Sequence, residues 1–236
     1  CTKNAIANIS KLPKLDLVGL QEINSEIEEK IMKVQSHLKK FTRANAGLSN
    51  IGILWNPQIF GELIFEIAFN LMKDDDRPCL ILIFKKDEDI FVLINLHMPW
   101  ANKRREAIKT LETTIKNNKI LRENIFNNKA KIIMMGDFND PNTSINKNKP
   151  LVIKNNKKTL RLKYNKTKAQ ARKTLKSCCW HKPKHQYKYF SDTGDYILVN
   201  KNVKEKSIKI PHIFSKAGRL NRLFSDHMPV LAQLVL

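Results

Sequence analysis

The chain has 236 residues, 42% of them hydrophobic, and 43 Lys and Arg against 22 Asp and Glu give a formal net charge of +21 at pH 7. That length and apolar fraction are enough for one large domain over 1–236 with a sizeable core. No apolar run approaches the roughly 18 residues of a membrane span, and the charge points to a polyanionic partner rather than a small neutral one.

The opening Cys1-Thr2-Lys3-Asn4 has no signal-peptide pattern, and four cysteines make no disulfide framework. Together these read as an intracellular, reducing compartment, cytoplasm or nucleus. Cys178, Cys179, His181 and His185 cluster, but adjacent cysteines without the usual two-residue gap argue against one tetrahedral zinc site.

In chain order, Cys1 to Leu12 reads as a helix with Ile6 and Ile9 apolar, stopped by Pro13. Leu15 to Leu20 reads as a strand leading into Gln21-Glu22, so a carboxylate stands at a strand end. Ile27, Ile31, Val34 and Leu38 are at helical spacing and predict an amphipathic helix from about Ser25 to Lys39, with Ser25 as N-cap over Glu28. Ile51 to Trp55, Leu63 to Phe69, Pro78 to Phe84 and Ile90 to Leu96 read as strands, the last two joined as a hairpin across Lys85 to Asp89. His97 follows the last of them. Asn102 is placed to cap a helix through Lys116, with Ala107, Ile108, Leu111 and Ile115 inward.

The apolar run after Lys131 then delivers Asp137 and Asn139 at its C-terminal end, where a side-chain period of two points both the same way. A carboxylate can orient or deprotonate a nucleophile and an amide can donate to a charged oxygen, the two jobs phosphoryl chemistry needs close together. Between Asp140 and Asp192 there is no acid, and fifteen lysines and arginines occur with Tyr164, Trp180, Tyr187 and Tyr189. This basic insert, about 141–191, reads either as a solvated segment or as an arm against a nucleic-acid backbone, with rings for stacking. In the second reading Arg161, Lys163, Arg172, Lys173 and Trp180 are the binding residues. Asp195 opens a strand through Val199, and Ser225-Asp226-His227-Met228-Pro229 precedes a final strand from Val230 to Leu236.

Glu22, His97, Asp137, Asn139, Asp195, Asp226 and His227 thus all fall at ends of predicted strands: an acid for a hard divalent metal, an Asp/Asn pair, and an Asp to orient a histidine. Leu20-Gln21-Glu22, Asn95-Leu96-His97, Gly136-Asp137-Phe138-Asn139, Gly194-Asp195-Tyr196 and Ser225 to Pro229 occur in the order of the endonuclease/exonuclease/phosphatase superfamily, which the sequence resembles. Locally, Ser225 to Leu231 is most similar to viral or retrotransposon-type members.

The resemblance implies an α/β fold of the deoxyribonuclease I type. This is a four-layer αββα sandwich of two mixed sheets flanked by helices, with the site at one end of the sheets. It also implies that the first strand of that fold, with its metal-shell asparagine, is missing from this N-terminally truncated chain. Glu22 would ligate Mg²⁺ or Mn²⁺ with Asp226 assisting. Asp137 would orient or deprotonate the attacking water, and Asn139 would bind the developing charge. His227 would meet the scissile phosphate, with Asp195 fixing its tautomer, and His97 matches a position that approaches the phosphate. The implied reaction is metal-dependent hydrolysis of a phosphodiester in DNA or RNA by a monomer. A phosphatase or lipid-directed phosphodiesterase, and a catalytically inactive nucleic-acid-binding module, are the alternatives.

Overall fold

The computed structural model describes residues 13–23, 25–44, 50–100, 102–139, 151–155, 158–163, 194–209 and 231–236. The helix expected before Pro13, the cysteine-histidine cluster and the Ser225 to Pro229 motif lie outside them.

The middle of the chain builds a five-stranded sheet. Its strands are β4 (Glu62–Asn70), β5 (Pro78–Lys86), β6 (Asp89–His97), β7 (Lys131–Asp137) and β10 (Asp195–Val199), in the order β10-β7-β6-β5-β4. The β6–β7 pair is parallel and the others are antiparallel. A parallel pair needs a crossover, and here it consists of α3 (Arg104–Asn117) and α4 (Lys119–Ile125). The smaller sheet is antiparallel, with β3 (Asn50–Trp55) between β1 (Leu17–Ile23) and β2 (Lys39–Ala44).

The central strands read as unbroken apolar runs because both of their faces are covered. With side chains alternating across a strand, Cys79, Ile81, Ile83, Val92, Ile94, Leu96, Ile132 and Met134 face one core together with Ala107, Leu111 and Ile115 of α3 and Leu121 and Ile125 of α4. Leu80, Leu82, Phe84, Phe91, Leu93, Ile133 and Met135 face the other, against Ile51, Ile53 and Trp55 of β3. The outer face of the smaller sheet buries Leu54 and Ile23 against Ile31 of α1 (Ser25–Val34). Helix, sheet, sheet, helices: the expected four layers are present. Among the described residues no helix is long and apolar enough to cross a membrane.

Several boundaries differ from the sequence expectation. Ser25 is the first residue of α1 rather than a residue before it, and Glu28 is buried and paired with Lys40. The helix stops at Val34, which is exposed, instead of running to Lys39. The cause is tertiary. Gln35 is buried, donates from Nε2 to Pro13 O at 3.0 Å and accepts from Leu15 N at 3.1 Å, while His37 Nε2 donates to Leu15 O at 2.7 Å. Lys39 to Ala44 is then free to pair with β3. Asn102 does not cap α3; Lys103 holds that position without a side-chain bond. The short helix α2 (Pro57–Phe60), capped by Asn56 Oδ1 on Gln58 N at 3.0 Å, was not expected.

Two further pairs complete the described strands. β8 (Leu151–Asn155) and β9 (Lys158–Leu162) form a hairpin that buries Leu151, Ile153, Leu160 and Leu162 in the helix-side core. β11 (Lys204–Lys209) pairs with β12 (Leu231–Val235), where Val230 to Leu236 was expected as a strand. Cys79 is a free thiol sealed in the core, and burial pushes its pKa far up, so it stays protonated.

Candidate active site

The C-terminal ends of β1, β6 and β7 and the N-terminal start of β10 gather the candidate residues. His97 is the parallel partner of Asp137, and Asp195 is the antiparallel partner of the same residue. Three polar side chains therefore start from adjacent positions across one sheet edge, fixed by backbone register. Met98 N extends this by donating to Asp137 O at 2.7 Å, and Phe138 N donates to Gly194 O at 2.8 Å.

Gly136 makes the close approach possible. Its φ is +144°, and a Cβ there would lie 1.9 Å from Leu96 O, far inside any contact distance. Only glycine fits between β6 and β7 one residue before the carboxylate.

Asp137 and Asn139 are both buried. Asn139 N donates to Asp137 Oδ1 at 2.7 Å, and Asn139 Nδ2 donates to Met98 O at 2.8 Å. An amide nitrogen carries two donors, and Met98 takes one of them. Asn139 is left-handed, φ +45°, a conformation asparagine tolerates better than most residues. Between the two, Phe138 is fully buried and meets Tyr196 edge-on at 5.6 Å, which pins the segment to β10.

Glu22 reaches the same end from the other sheet. It is the extra residue of a β-bulge between Gln21 and Ile23, left-handed at φ +52°, with its side chain 68% exposed. A glutamate held left-handed stores strain of order 1–3 kcal/mol. Bulges of this kind re-aim a side chain, and here Glu22 Oε1 stands 3.7 Å from His97 Nδ1. Asn95, fully buried on β6, sets the distance between the sheets. Its Nδ2 donates to Leu20 O at 2.9 Å and Gly52 O at 2.8 Å, and its Oδ1 accepts from Gln21 Nε2.

His97 is buried at the centre. Arg77 Nη1 lies 2.7 Å from His97 Nε2, while Arg77 Nε bonds Asp75 Oδ2 at 3.2 Å. A guanidinium can only donate, so Nε2 accepts and the ring proton resides on Nδ1, toward Glu22. Asp137 Oδ2 stands 3.6 Å from the same Nε2. Arg104, buried at the start of α3, donates from Nη2 to Asn139 O at 2.7 Å. Arg77 and Arg104 were not anticipated from sequence. Their positions beside strand-end motifs, after an acidic run and at a helix start, carry no local pattern that separates them from surface arginines.

The structure thus brings together Glu22, His97, Asp137, Asn139 and Asp195, while Asp226, His227, Arg172, Lys173 and Trp180 lie outside the described residues. Lys163 and Arg161 are exposed, but Lys163 bridges antiparallel to Val199, at the opposite end of β10 from Asp195. The antiparallel sense carries Arg161 farther from the site still.

Glu22 suits a hard cation in kind, as an exposed carboxylate oxygen donor at the sheet ends. Among the described residues no group of three His, Cys, Asp or Glu is placed to hold a metal.

The fold has known counterparts. A family protein of Bacteroides thetaiotaomicron aligns with TM-score 0.68 at 16% identity, covering 99% of this chain and 89% of that one. TDP2 of D. rerio, complexed with a single-strand DNA product, aligns with TM-score 0.62 at 15% identity over 98% of this chain and 93% of that one. A mannosyl-6-phosphatase of B. thetaiotaomicron gives 0.64 at 17% identity over 94% and 86%. At such identities the likeness establishes fold alone. No curated protein sequence matches the chain. The sequence also matches the endonuclease/exonuclease/phosphatase family over residues 2–227.

Proposed function

We infer the reaction from the premise that this chain belongs to the endonuclease/exonuclease/phosphatase family, whose members hydrolyse phosphoester bonds. Within it, we propose a metal-dependent phosphodiesterase acting on DNA or RNA. The observation that carries this reading is the convergence of Glu22, His97, Asp137 and Asn139 at one sheet end, in a chain of net charge +21.

Asp137, held in place by its Oδ1 bond from Asn139 N, is the carboxylate that orients the attacking water and takes its proton. The second amide donor of Asn139 serves the negative charge that grows on the phosphate. Arg77 adds a fixed positive charge beside His97, whose Nδ1 lies on the Glu22 side. Glu22, with Asp226 named from its motif, would hold Mg²⁺ or Mn²⁺, which when bound neutralises charge on the reacting phosphate. His227 meets the scissile phosphate, with Asp195 as its orienting acid. The narrower affinity with viral or retrotransposon-type members rests on the Ser225 to Leu231 pattern alone.

The test is cleavage of labelled single-stranded and duplex DNA and RNA with Mg²⁺ or with EDTA, beside Asp137→Ala. Metal-dependent cutting should fall by about two to four orders of magnitude in the variant while binding persists. Turnover equal to wild type would remove Asp137 from the site. Hydrolysis confined to inositol or sugar phosphates would replace the nuclease reading with a phosphatase, and salt-sensitive binding without hydrolysis would replace it with a binding module.

A further inference from the structure

Trp100 is 54% exposed, although a tryptophan has more apolar surface to hide than any other side chain. It is held at the site by bonds on both sides. Two residues before it, Met98 donates to Asp137 O and accepts from Asn139 Nδ2, which puts the Trp100 Cα within about 7 Å of the Met98 Cα. After it, Lys103 N donates to Trp100 O at 3.0 Å, and Arg104 bonds Asn139 O. The ring is therefore carried on a backbone tied on both sides to the Asp137–Asn139 segment.

Its polar neighbours carry the matching charge. Lys103 and Arg105 are exposed at the start of α3, with Glu106 the acid of that first turn. An exposed ring followed within five residues by two exposed cations, on a segment bonded to the candidate site, fits a ligand that alternates flat rings with phosphates.

Building on the nucleic-acid reading above, we propose that Trp100 is a stacking platform for an unpaired nucleobase next to the scissile phosphate, with Lys103 and Arg105 against the adjoining backbone. The site then favours single-stranded or frayed substrate, because a base within a duplex is already stacked on both faces.

The experiment uses the full chain in EDTA. Fluorescence anisotropy reads its affinity for a labelled single-stranded oligonucleotide and for an oligomer of the same length and charge made of abasic sugar phosphates. Trp100→Ala should weaken binding of the base-bearing strand by roughly tenfold to a hundredfold and leave the abasic one unchanged, while Trp100→Phe keeps most of the affinity. Unchanged affinity in Trp100→Ala, or an equal loss on both oligomers, would overturn the stacking role and leave the nuclease reading intact. Absence of binding to both oligomers, with Trp100→Ala raising KM for a sugar phosphate, would overturn both and assign the ring to a sugar.

Discussion

Arg77 donates to the imidazole of His97 and to the carboxylate of Asp75 at once, a geometry that suits a planar fork and not a point charge. Removing it takes a fixed positive charge from beside His97. Charge-assisted bonds contribute about 1.5–3 kcal/mol, so Arg77→Ala should lower kcat/KM roughly 10- to 100-fold. Arg77→Lys should recover only part, because an ammonium cannot hold both partners. Steady-state kinetics on a phosphodiester would show this, and an unaltered kcat/KM in Arg77→Ala would confine the residue to a surface role. Glu22, His97 and Asp137 were legible in the sequence because each ends an apolar run, so local pattern alone places them at a sheet end. Arg77 and Arg104 were not, since a long side chain chooses partners far away in sequence: Arg104 bonds Asn139 across the whole crossover. The bulge that aims Glu22 was equally hidden, because Leu20-Gln21-Glu22-Ile23 gives no glycine to mark a left-handed residue.

At the scale of elements, β7 depends on a single missing methyl group. A Cβ on Gly136 would sit 1.9 Å from a backbone oxygen of β6, and a paired strand cannot yield as a flexible side chain could. Gly136→Ala should cost about 4 kcal/mol or more, read as a lowered urea midpoint, with activity lost as His97 and Asp137 part. A midpoint within experimental error of wild type would show that the two strands can separate there without penalty. The buried strands were easy to read, being long apolar runs covered on both faces. Lys39 to Ala44 was not: two lysines and an arginine in six residues look like a helix end, and only the bonds of Gln35 and His37 to the Pro13–Leu15 segment force the turn that precedes it. The β8–β9 hairpin hid in the same way, its four buried apolar residues diluted by a basic stretch.

For the whole molecule, charge and fold divide the labour. Leu151, Ile153, Leu160 and Leu162 of the basic insert pack into the core through that hairpin, and Lys163 stands at the far end of β10 from Asp195. A polyanion engaging both Lys163 and the site must therefore lie along the sheet's length, which a small phosphorylated metabolite cannot do. Binding of oligonucleotides should weaken steeply with salt, with a log-log slope of several units as bound counterions are released. A slope near zero would mean that the surplus of +21 plays no part in holding the substrate.

The register that joins His97 to Asp137 also sets a timetable. β4, β5 and β6 follow one another through short turns, so that meander can close early. The parallel partner must wait for the two-helix crossover, Asp195 for the chain beyond the β8–β9 hairpin, and Glu22 for one sheet to settle on the other. Long loops close late. The β4–β5–β6 meander can therefore stand before β7 and β10 join it, and only their arrival sets Asp137 and Asp195 beside His97.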